Sequence, residues 1–541
     1  MPHPWTRRRW LSTLGSAAAA SALPARAWAT DDSAPATRQL EIAGPWEMSG
    51  LALAQSGHLY QKLQVIETLL EASSVGQPAA GLATTWSQSP DGLRWQFDLR
   101  PGARFHDGSR VRAADAVAAL QAATQAPGAL SQAPVAGLRV LASADGRESL
   151  EILLHRPHAT LPSLLAHFST AVLAPGSWAP DGRTLVRILG SGPYRITRLE
   201  APQRLEVAWF DGEGGPAPQI RRAGYLAVGR AETRALMAAS GQADLVFALD
   251  PASLAKWRRT VSPARLASVT VPRVMALKLN AGAPVLSDAR VRQALSLAID
   301  REGIASAILR DPGLAATQLL PPTVPDWHDP SLPPLTFDLE RAAGLLRAAG
   351  WRRSADGRHW RDVTGQPVTL TLRTFPDRPE LPIVATALQE QWRQLGLPVR
   401  VSIGNSGDIP LGHRDGSLQI GLMARNYAST PDLTASLWQD FRPGGHDWGA
   451  MGWQSPPVWD ALAALNSGAG LDRAAALRRQ VVQGLQRDLP VIPVAWYRQH
   501  VAVSRRVQRP VLDPLERSYR LSALRWTDGD GAFASRGKDH T

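Results

Sequence analysis

The sequence predicts an α/β fold built in more than one lobe. The chain has 541 residues, more than a single hydrophobic core ordinarily organises. Stretches with the two-residue period of strands alternate with stretches at helical spacing. Residues 367 to 403 read as one strand–helix–strand unit, whose natural solution is a parallel pair with a helical crossover. Together these features place the chain in the α/β class.

The elements follow in chain order. "MPHPWTRRRWLSTLGSAAAASALPARAWAT" has a basic start at Arg7 to Arg9, a mildly apolar stretch from Leu11 to Leu23, and a small-x-small site at Ala27-Trp28-Ala29. That is the order of an export signal, and the apolar stretch is too short for a membrane anchor. Thr6-Arg7-Arg8-Arg9-Trp10-Leu11 fits the twin-arginine address; the alternative is a Sec signal that happens to hold three arginines. Residues 1–29 are read as this signal, with the mature chain starting near Thr30. "LRWQFDLR" sets Trp95, Phe97 and Leu99 on one strand face and Arg94, Gln96, Asp98 and Arg100 on the other. "DARVRQALSLAIDREGI" spaces Val291, Leu295, Ala298 and Ile299 as a helix face. The stretch from Asp311 to Pro334 holds seven prolines. Leu319, Leu320 and Trp327 punctuate it, which favours an ordered loop wrapping a lobe over a linker. "FDLERAAGLLRAAGW" has a cap at Asp338, apolar Leu339, Ala342, Leu345, Leu346 and Ala349, and a stop at Gly350. Within residues 367–403, Val368, Leu370 and Leu372 alternate along a strand. Ile383, Ala387, Leu388, Trp392 and Leu395 stripe a helix that Gly396 ends, and Val399, Val401 and Ile403 form the next strand. Residues 527–541 are polar and Gly-rich, and are read as a disordered tail.

Composition narrows the function. At 44% hydrophobic and 20% charged residues the chain is an ordinary globular one. No apolar run after the N-terminal segment is long enough to span a bilayer. The absence of cysteine removes disulfides, thiolate metal sites, thiol nucleophiles and a lipidated N-terminal cysteine. The net charge is +12 with only four lysines, and loss of Arg7, Arg8, Arg9 and Arg26 would lower it to +8. The arginines are interleaved with acids and form no basic stripe with aromatics, so no nucleic-acid partner is expected. There is no phosphate loop, no GxGxxG after a strand, no GxSxG elbow and no HExxH. The chain is therefore read as a non-enzyme without a cofactor. His155 and His158 lack neighbouring acids and are read as a solvent-exposed pair, not a metal site.

Five segments in order carry a resemblance. They are "GLATTWSQSPDGLRWQFDLRPGARFHDGSRVRAADAVAAL" (Gly81 to Leu120), "GSGPYRI" (Gly190 to Ile196), "SGQADL" (Ser240 to Leu245), and the two helical segments starting at Asp288 and Phe337. The chain resembles the extracytoplasmic solute-binding proteins of bacterial ABC importers, in the family that takes peptides and nickel (family 5). The match runs from about Leu59 to about Val503, with Arg94 and Pro101 departing from the usual signature. It implies a two-lobed periplasmic-binding-protein fold (class II), with an extra subdomain in lobe I and a ligand enclosed between the lobes. Lobe I would span 30–272, with the subdomain at about 59–189. Lobe II would span 273–493, residues 494–526 would return to lobe I, and the crossings would lie near Pro272 and Pro493. Phe105-His106-Asp107-Gly108 and Gly192-Pro193-Tyr194 would shape backbone without touching ligand.

"LQIGLMARNYASTPDLTASLW" (Leu418 to Trp438) falls on the implied cleft wall. Its apolar run, Ile420 to Ala424, breaks into Arg425, Asn426 and Tyr427; a polar turn from Ser429 to Asp432 and a possible helix follow. Peptide-binding relatives place an aspartate about four positions before a proline here, where it pairs with the peptide's amine. Counting back from Pro431 gives Tyr427, which cannot supply that charge. "ARNYASTPD" and the loop "FRPGGHDWGAMGW" with His446 are closer to the nickel branch, where a loop histidine binds a chelated metal. The arginines that hold the chelator there have no counterpart in Leu120 to Pro134 or Leu161 to Pro175. The ligand candidates are Tyr427, Arg425, Asn426, His446, Trp448 and Tyr60, with His446 the one metal candidate. All but Asn426 have a plainer alternative: core packing for Tyr427, Trp448 and Tyr60, an ion pair for Arg425, a surface loop for His446.

The expected protein is a periplasmic, monomeric substrate-binding component that delivers a peptide-like or metal-chelate ligand to ABC permease subunits in the membrane. A transport-inactive sensor or scaffold of the same fold and, more remotely, a secreted hydrolase are the rivals.

Overall fold

The computed structural model describes residues 38–527 except 75, 127, 142–145, 183, 213–214, 258–263, 377 and 429. Met1–Arg38 and Gln39–Thr541 separate as two units, and the second is described below. The export signal at 1–29 and the tail from 528 onward lie outside the described residues.

Ten strands form one mixed sheet. Their order across it is Val399–Ile403, Leu370–Thr374, Ile420–Asn426, Ala264–Leu279, Val491–Ser504, Leu245–Phe247, Leu40–Gly44, Arg222–Ala227, Arg204–Trp209 and Tyr194–Glu200. The two central strands are long, 16 and 14 residues. They run antiparallel from Ala264 opposite Ser504 to Lys278 opposite Val491, with a register shift between Val271 and Val274. Helices cover the faces, and each half of the sheet builds its own core. Leu40, Ile42, Tyr225, Leu245, Val501 and Val503 pack in the first lobe. Met275, Leu277, Leu370, Leu388, Trp392 and Ile492 pack in the second. A third core belongs to a four-stranded antiparallel sheet, ordered Ala83–Gln88, Arg94–Leu99, Ser149–Leu154, Val135–Leu141. The helix Ala113–Gln125 packs on it through Ala113, Ala116 and Leu120. This third core begins at Leu69, while Leu59 and Tyr60 pack with the first lobe.

Most elements follow the hydrophobic pattern. Trp95, Phe97 and Leu99 are buried on one face of their strand. The Asp338 carboxylate accepts from the Arg341 N–H at 2.8 Å and caps the helix Leu339–Ala348, which Gly350 closes at φ +87°. Leu370–Thr374 pairs in parallel with Val399–Ile403 across the helix Glu380–Gln394. The proline-rich stretch is an ordered loop that buries Leu320 and Trp327. Two expectations need correction. Ile383 is 52% exposed, because the buried face of its helix runs through Leu381, Val384, Ala385, Leu388 and Trp392. Two residues past Leu381, Ile383 points to the opposite side at about 100° per residue. His155 is exposed as expected, but His158 is buried.

His158 is buried because its segment meets the helix Pro456–Ser467 there. Its Nδ1 lies 3.0 Å from Asn466 Nδ2 on the helix Pro456–Ser467, and its Nε2 lies 3.3 Å from Thr160 Oγ1. The Thr160 hydroxyl donates to Asn466 Oδ1, and the Ala159 N–H donates to the Asn466 carbonyl at 2.7 Å. Burial, with Arg156 nearby, lowers His158 to about 4 and keeps the ring neutral, as an acceptor for the asparagine amide requires. A second contact joins the Asp432 N–H to the Gly76 carbonyl at 2.7 Å.

The Phe105–Gly108 turn fixes backbone. The His106 N–H donates to the Gly190 carbonyl at 2.9 Å, and its Nε2 meets the Gly192 carbonyl at 2.9 Å. Gly190 passes against Val65 and Ile66 and Gly192 against Gln64 and Val65, so a Cβ at Gly192 would sit 2.2 Å from the Gln64 carbonyl oxygen.

Several cations are spent on backbone carbonyls. Arg301 donates to the Pro493 carbonyl at 2.9 Å and the Ser296 carbonyl at 3.0 Å. Arg292 reaches the carbonyls of Asp488, Leu286 and Ser287, each at 2.8 Å. Arg234 holds those of Phe247, Val228, Gly229 and Ala248. Lys278, fully buried, donates to the His446 carbonyl at 3.1 Å and the Asp447 carbonyl at 2.9 Å, with His413 Nδ1 at 2.6 Å. Burial lowers Lys278 to about 7, against the pull of Asp440 and Asp447.

Gly192→Ala is expected to destabilise the protein by about 1–3 kcal/mol through this overlap, read as a lower urea midpoint. The unfolded chain keeps the Lys278 proton up to about pH 10, while the folded chain releases it near 7. Unfolding therefore takes up a proton between those values, and the Lys278 contribution to stability rises with pH across that window. Lys278→Met is expected to flatten that rise in urea titrations between pH 7 and 10; an unchanged slope would contradict it.

Candidate functional site

The strand Ile420–Asn426 pairs with the long strand Ala264–Leu279 in the sheet. Its buried run, Ile420 to Met423, stops at half-buried Arg425 and Asn426. Asp432, at φ +54°, caps the helix Leu433–Phe441, its carboxylate accepting from the Thr434 N–H at 3.0 Å and Oγ1 at 2.7 Å. This folds the helix back so that Asp440 lies beside Arg425. The two make a bidentate pair, 2.7 Å on each arm, with the Asp440 side chain fully buried. Loss of one partner would strand a buried charge, at a cost of about 3–5 kcal/mol. The Arg425 guanidinium also lies over the Tyr427 ring at 5.7 Å. His446 stands in the same field. Burial lowers its pKa, and Asp440, Arg425, Asp447 and Lys278 all act on it. Its Nδ1 receives the Trp448 N–H at 3.4 Å.

A second polar cluster lies beside the register shift of the two long strands, at Arg273, Tyr497 and Gln499. Glu516, from the C-terminal segment, is at its centre. Arg273 bonds both carboxylate oxygens, one at 3.0 Å. Gln499 donates to Oε1 at 3.0 Å and Asn426 to Oε2 at 3.3 Å. Lys62 donates to the Glu516 carbonyl and faces the Trp46 and Tyr519 rings at 5.3 and 5.6 Å. Arg273 and Arg378 flank the Tyr497 ring at 5.6 and 5.4 Å, and the Tyr497 hydroxyl donates to Glu380 at 2.8 Å. Burial alone would raise the Glu516 carboxyl; the charges of Arg273, Lys62 and Arg378 outweigh it and hold the group below its ordinary range. Burial lowers Lys62 to about 8 in spite of Glu516 and Asp513. A cavity of about 10 Å³ adjoins the cluster, lined by Lys62, Phe247, Gln499, Asp513, Glu516 and Tyr519.

Arg425, Tyr427, His446 and Trp448 thus come to one side of the second lobe, and Asn426 points to the junction. Tyr427 is 1% exposed in the core with Leu437, Phe441 and Trp453. Trp448 is half-buried, edge-on to Phe375 at 6.1 Å. Tyr60 is apart from them, fully buried in the first-lobe core with its hydroxyl on the Gly50 carbonyl at 3.0 Å. Among the described residues no three His, Asp or Glu side chains gather to hold a metal ion. Sequence reasoning missed Asp440, Arg273, Lys62, Arg378, Tyr497 and Glu516. Asp440 had a usable signal, an acid inside an apolar helix; the others come from five separate segments with none.

The sequence model described as "Bacterial extracellular solute-binding proteins, family 5 Middle" matches residues 77–448. The dipeptide-binding protein of Escherichia coli (strain K12) is 26% identical over 369 residues, which cover 63% of this chain and 66% of that protein, just under two thirds. The glutathione-binding protein GsiB of Salmonella typhi is 25% identical over 407 residues, 74% of each chain. Among solved structures, NikA from Brucella suis in complex with Fe(III)-EDTA superposes with a TM-score of 0.80 at 20% identity, covering 91% of this chain and all of that one. The oligopeptide-binding protein AppA from Bacillus subtilis, in complex with a nonapeptide, gives 0.76 at 17% identity, covering 91% and 99%. These structures share the two-lobed fold. No helix among the described residues is long and apolar enough to cross a membrane. With more than half of its length matched in one continuous span, this chain belongs to the bacterial extracellular solute-binding proteins of family 5.

Proposed function

We propose that the protein is the periplasmic binding component of an ABC importer and closes its two lobes over a peptide-like or metal-chelate ligand. The observation that carries this reading is the polar cluster at the crossing of the two long strands, which draws side chains from both lobes onto one buried carboxylate. A ligand that contacts both lobes stabilises the closed arrangement, a population shift. The hinge lies at Val269–Pro272 against Tyr497–Gln499. Supporting this, Ile492, Val494 and Ala495 pack in the second-lobe core, which argues against a crossing near Pro493. The subdomain starts at about Leu69, where its own core begins.

Relatives that bind dipeptides and glutathione bring the peptide-like class to this chain, and those solved with metal chelates bring the other. Tyr427 in place of an acid and the pairing of Arg425 with Asp440 favour a ligand held through groups other than a free α-amine. His446 is the metal candidate within that class. ATP hydrolysis falls to a separate subunit, and ABC permease subunits are the membrane partner. Export runs through the twin-arginine route.

The test is a screen of peptides, nickel and nickel–histidine chelates by thermal shift and small-angle scattering. A ligand at a hundredfold excess over Kd should add about 2.7 kcal/mol of stability and reduce the radius of gyration. No shift with any of these classes would sink this reading. Arg7→Lys with Arg8→Lys should leave the protein in the cytoplasm on cell fractionation, whereas normal periplasmic yield would point to Sec export.

A further inference from the structure

Glu516 is a misfit in its own backbone. It sits at φ +58°, in the left-handed region that favours glycine, yet carries a side chain that is 5% exposed. The conformation is what turns the carboxylate inward. There it meets groups from each part of the molecule: Arg273 and Gln499 from the two crossing strands, Asn426 from the end of a second-lobe strand. Lys62, from a first-lobe helix, holds its carbonyl. Three side chains on two strands and a strand end, all donors converging on one carboxylate, are the arrangement a site uses to hold an anion. Here the anion is part of the chain.

We propose that Glu516 is a specificity-determining residue of the interlobe site, a tethered carboxylate that fills an anion subsite and so excludes a ligand carboxylate from it. The inference rests on the reading that solute binds between the lobes at this junction. A ligand carboxylate brought to Arg273 would have to displace Glu516, leaving one of the two acids buried without its donors. A ligand ending here in a neutral group meets no such conflict. The site therefore takes solutes whose junction-facing end is an amide or an ester, and rejects those with a free carboxylate there.

Glu516→Gly removes the propionate-sized side chain and suits the backbone. Sodium propionate added to this variant should raise its Tm saturably, at a half-effect concentration at least about tenfold below any effect on the wild type. Propionamide at the same concentrations should not, and adding Arg273→Met should abolish the response. A folded Glu516→Gly protein that ignores propionate, or one that responds no better than the wild type, overturns the proposal. Should the variant not fold, the wild-type protein is offered a peptide mixture as free acids and as C-terminal amides, and the bound pool is read by mass spectrometry. Enrichment of amides supports the assignment; enrichment of free acids overturns it. Lobe closure on a ligand without propionate rescue would remove the role of Glu516 and leave the binding function standing, whereas rescue without closure on any solute would do the reverse.

Discussion

The ladder between Ala264–Leu279 and Val491–Ser504 is the interaction on which the rest of the molecule depends. These strands are the ones that run through both halves of the ten-stranded sheet. Their outer ends pack in the first-lobe core through Ala267, Val501 and Val503, and their inner ends in the second through Leu277, Leu279 and Ile492. Two cores are thereby tied to one backbone ribbon. The register shift between Val271 and Val274 falls between the residues that enter those two cores, and both valines are themselves fully buried. The polar cluster collects beside that shift, at Arg273, Tyr497 and Gln499.

Burial of cations is the second constraint. An arginine excess with almost no lysine could announce an anionic partner. In the folded chain a share of it is internal. Arg234, Arg292 and Arg301 each satisfy carbonyls at the ends of elements, where the backbone would otherwise be left unpaired. A guanidinium suits this because it offers five donors in a fixed fork and stays charged when desolvated. Lys278 does the same for the loop that carries His446, with a weaker hold on its proton. Such residues contribute to the +12 charge and leave little surface consequence.

Legibility of the site varied with how local its physics is. The capped helix after Ile420–Asn426 could be expected from an apolar run followed by a polar turn and an aspartate. The pairing of Arg425 with Asp440 was open, since an arginine at a strand end serves an ion pair or a ligand equally well; the helix's return decides it. Tyr427 reads as the position of a missing acid, yet its ring is in the core with Phe441 and Trp453. Tyr60 had no pattern to place it, and it lies in a different core from the rest. His158 was misjudged because its partner, Asn466, is 308 positions away.

By itself the sequence determined the class of fold, the strands and helices with clean periodicity, the absence of thiol and phosphate-loop chemistry, and the family. Each of these rests on near neighbours in the chain: the two-residue and helical periods, a cap three residues from its amide, a motif read in one stretch. Tertiary structure decided the site. Glu516 gains its meaning only when Lys62, Arg273, Asn426 and Gln499 are drawn to it from four other segments. The energy of a buried charge depends on what surrounds it in three dimensions, and no local pattern carries that information.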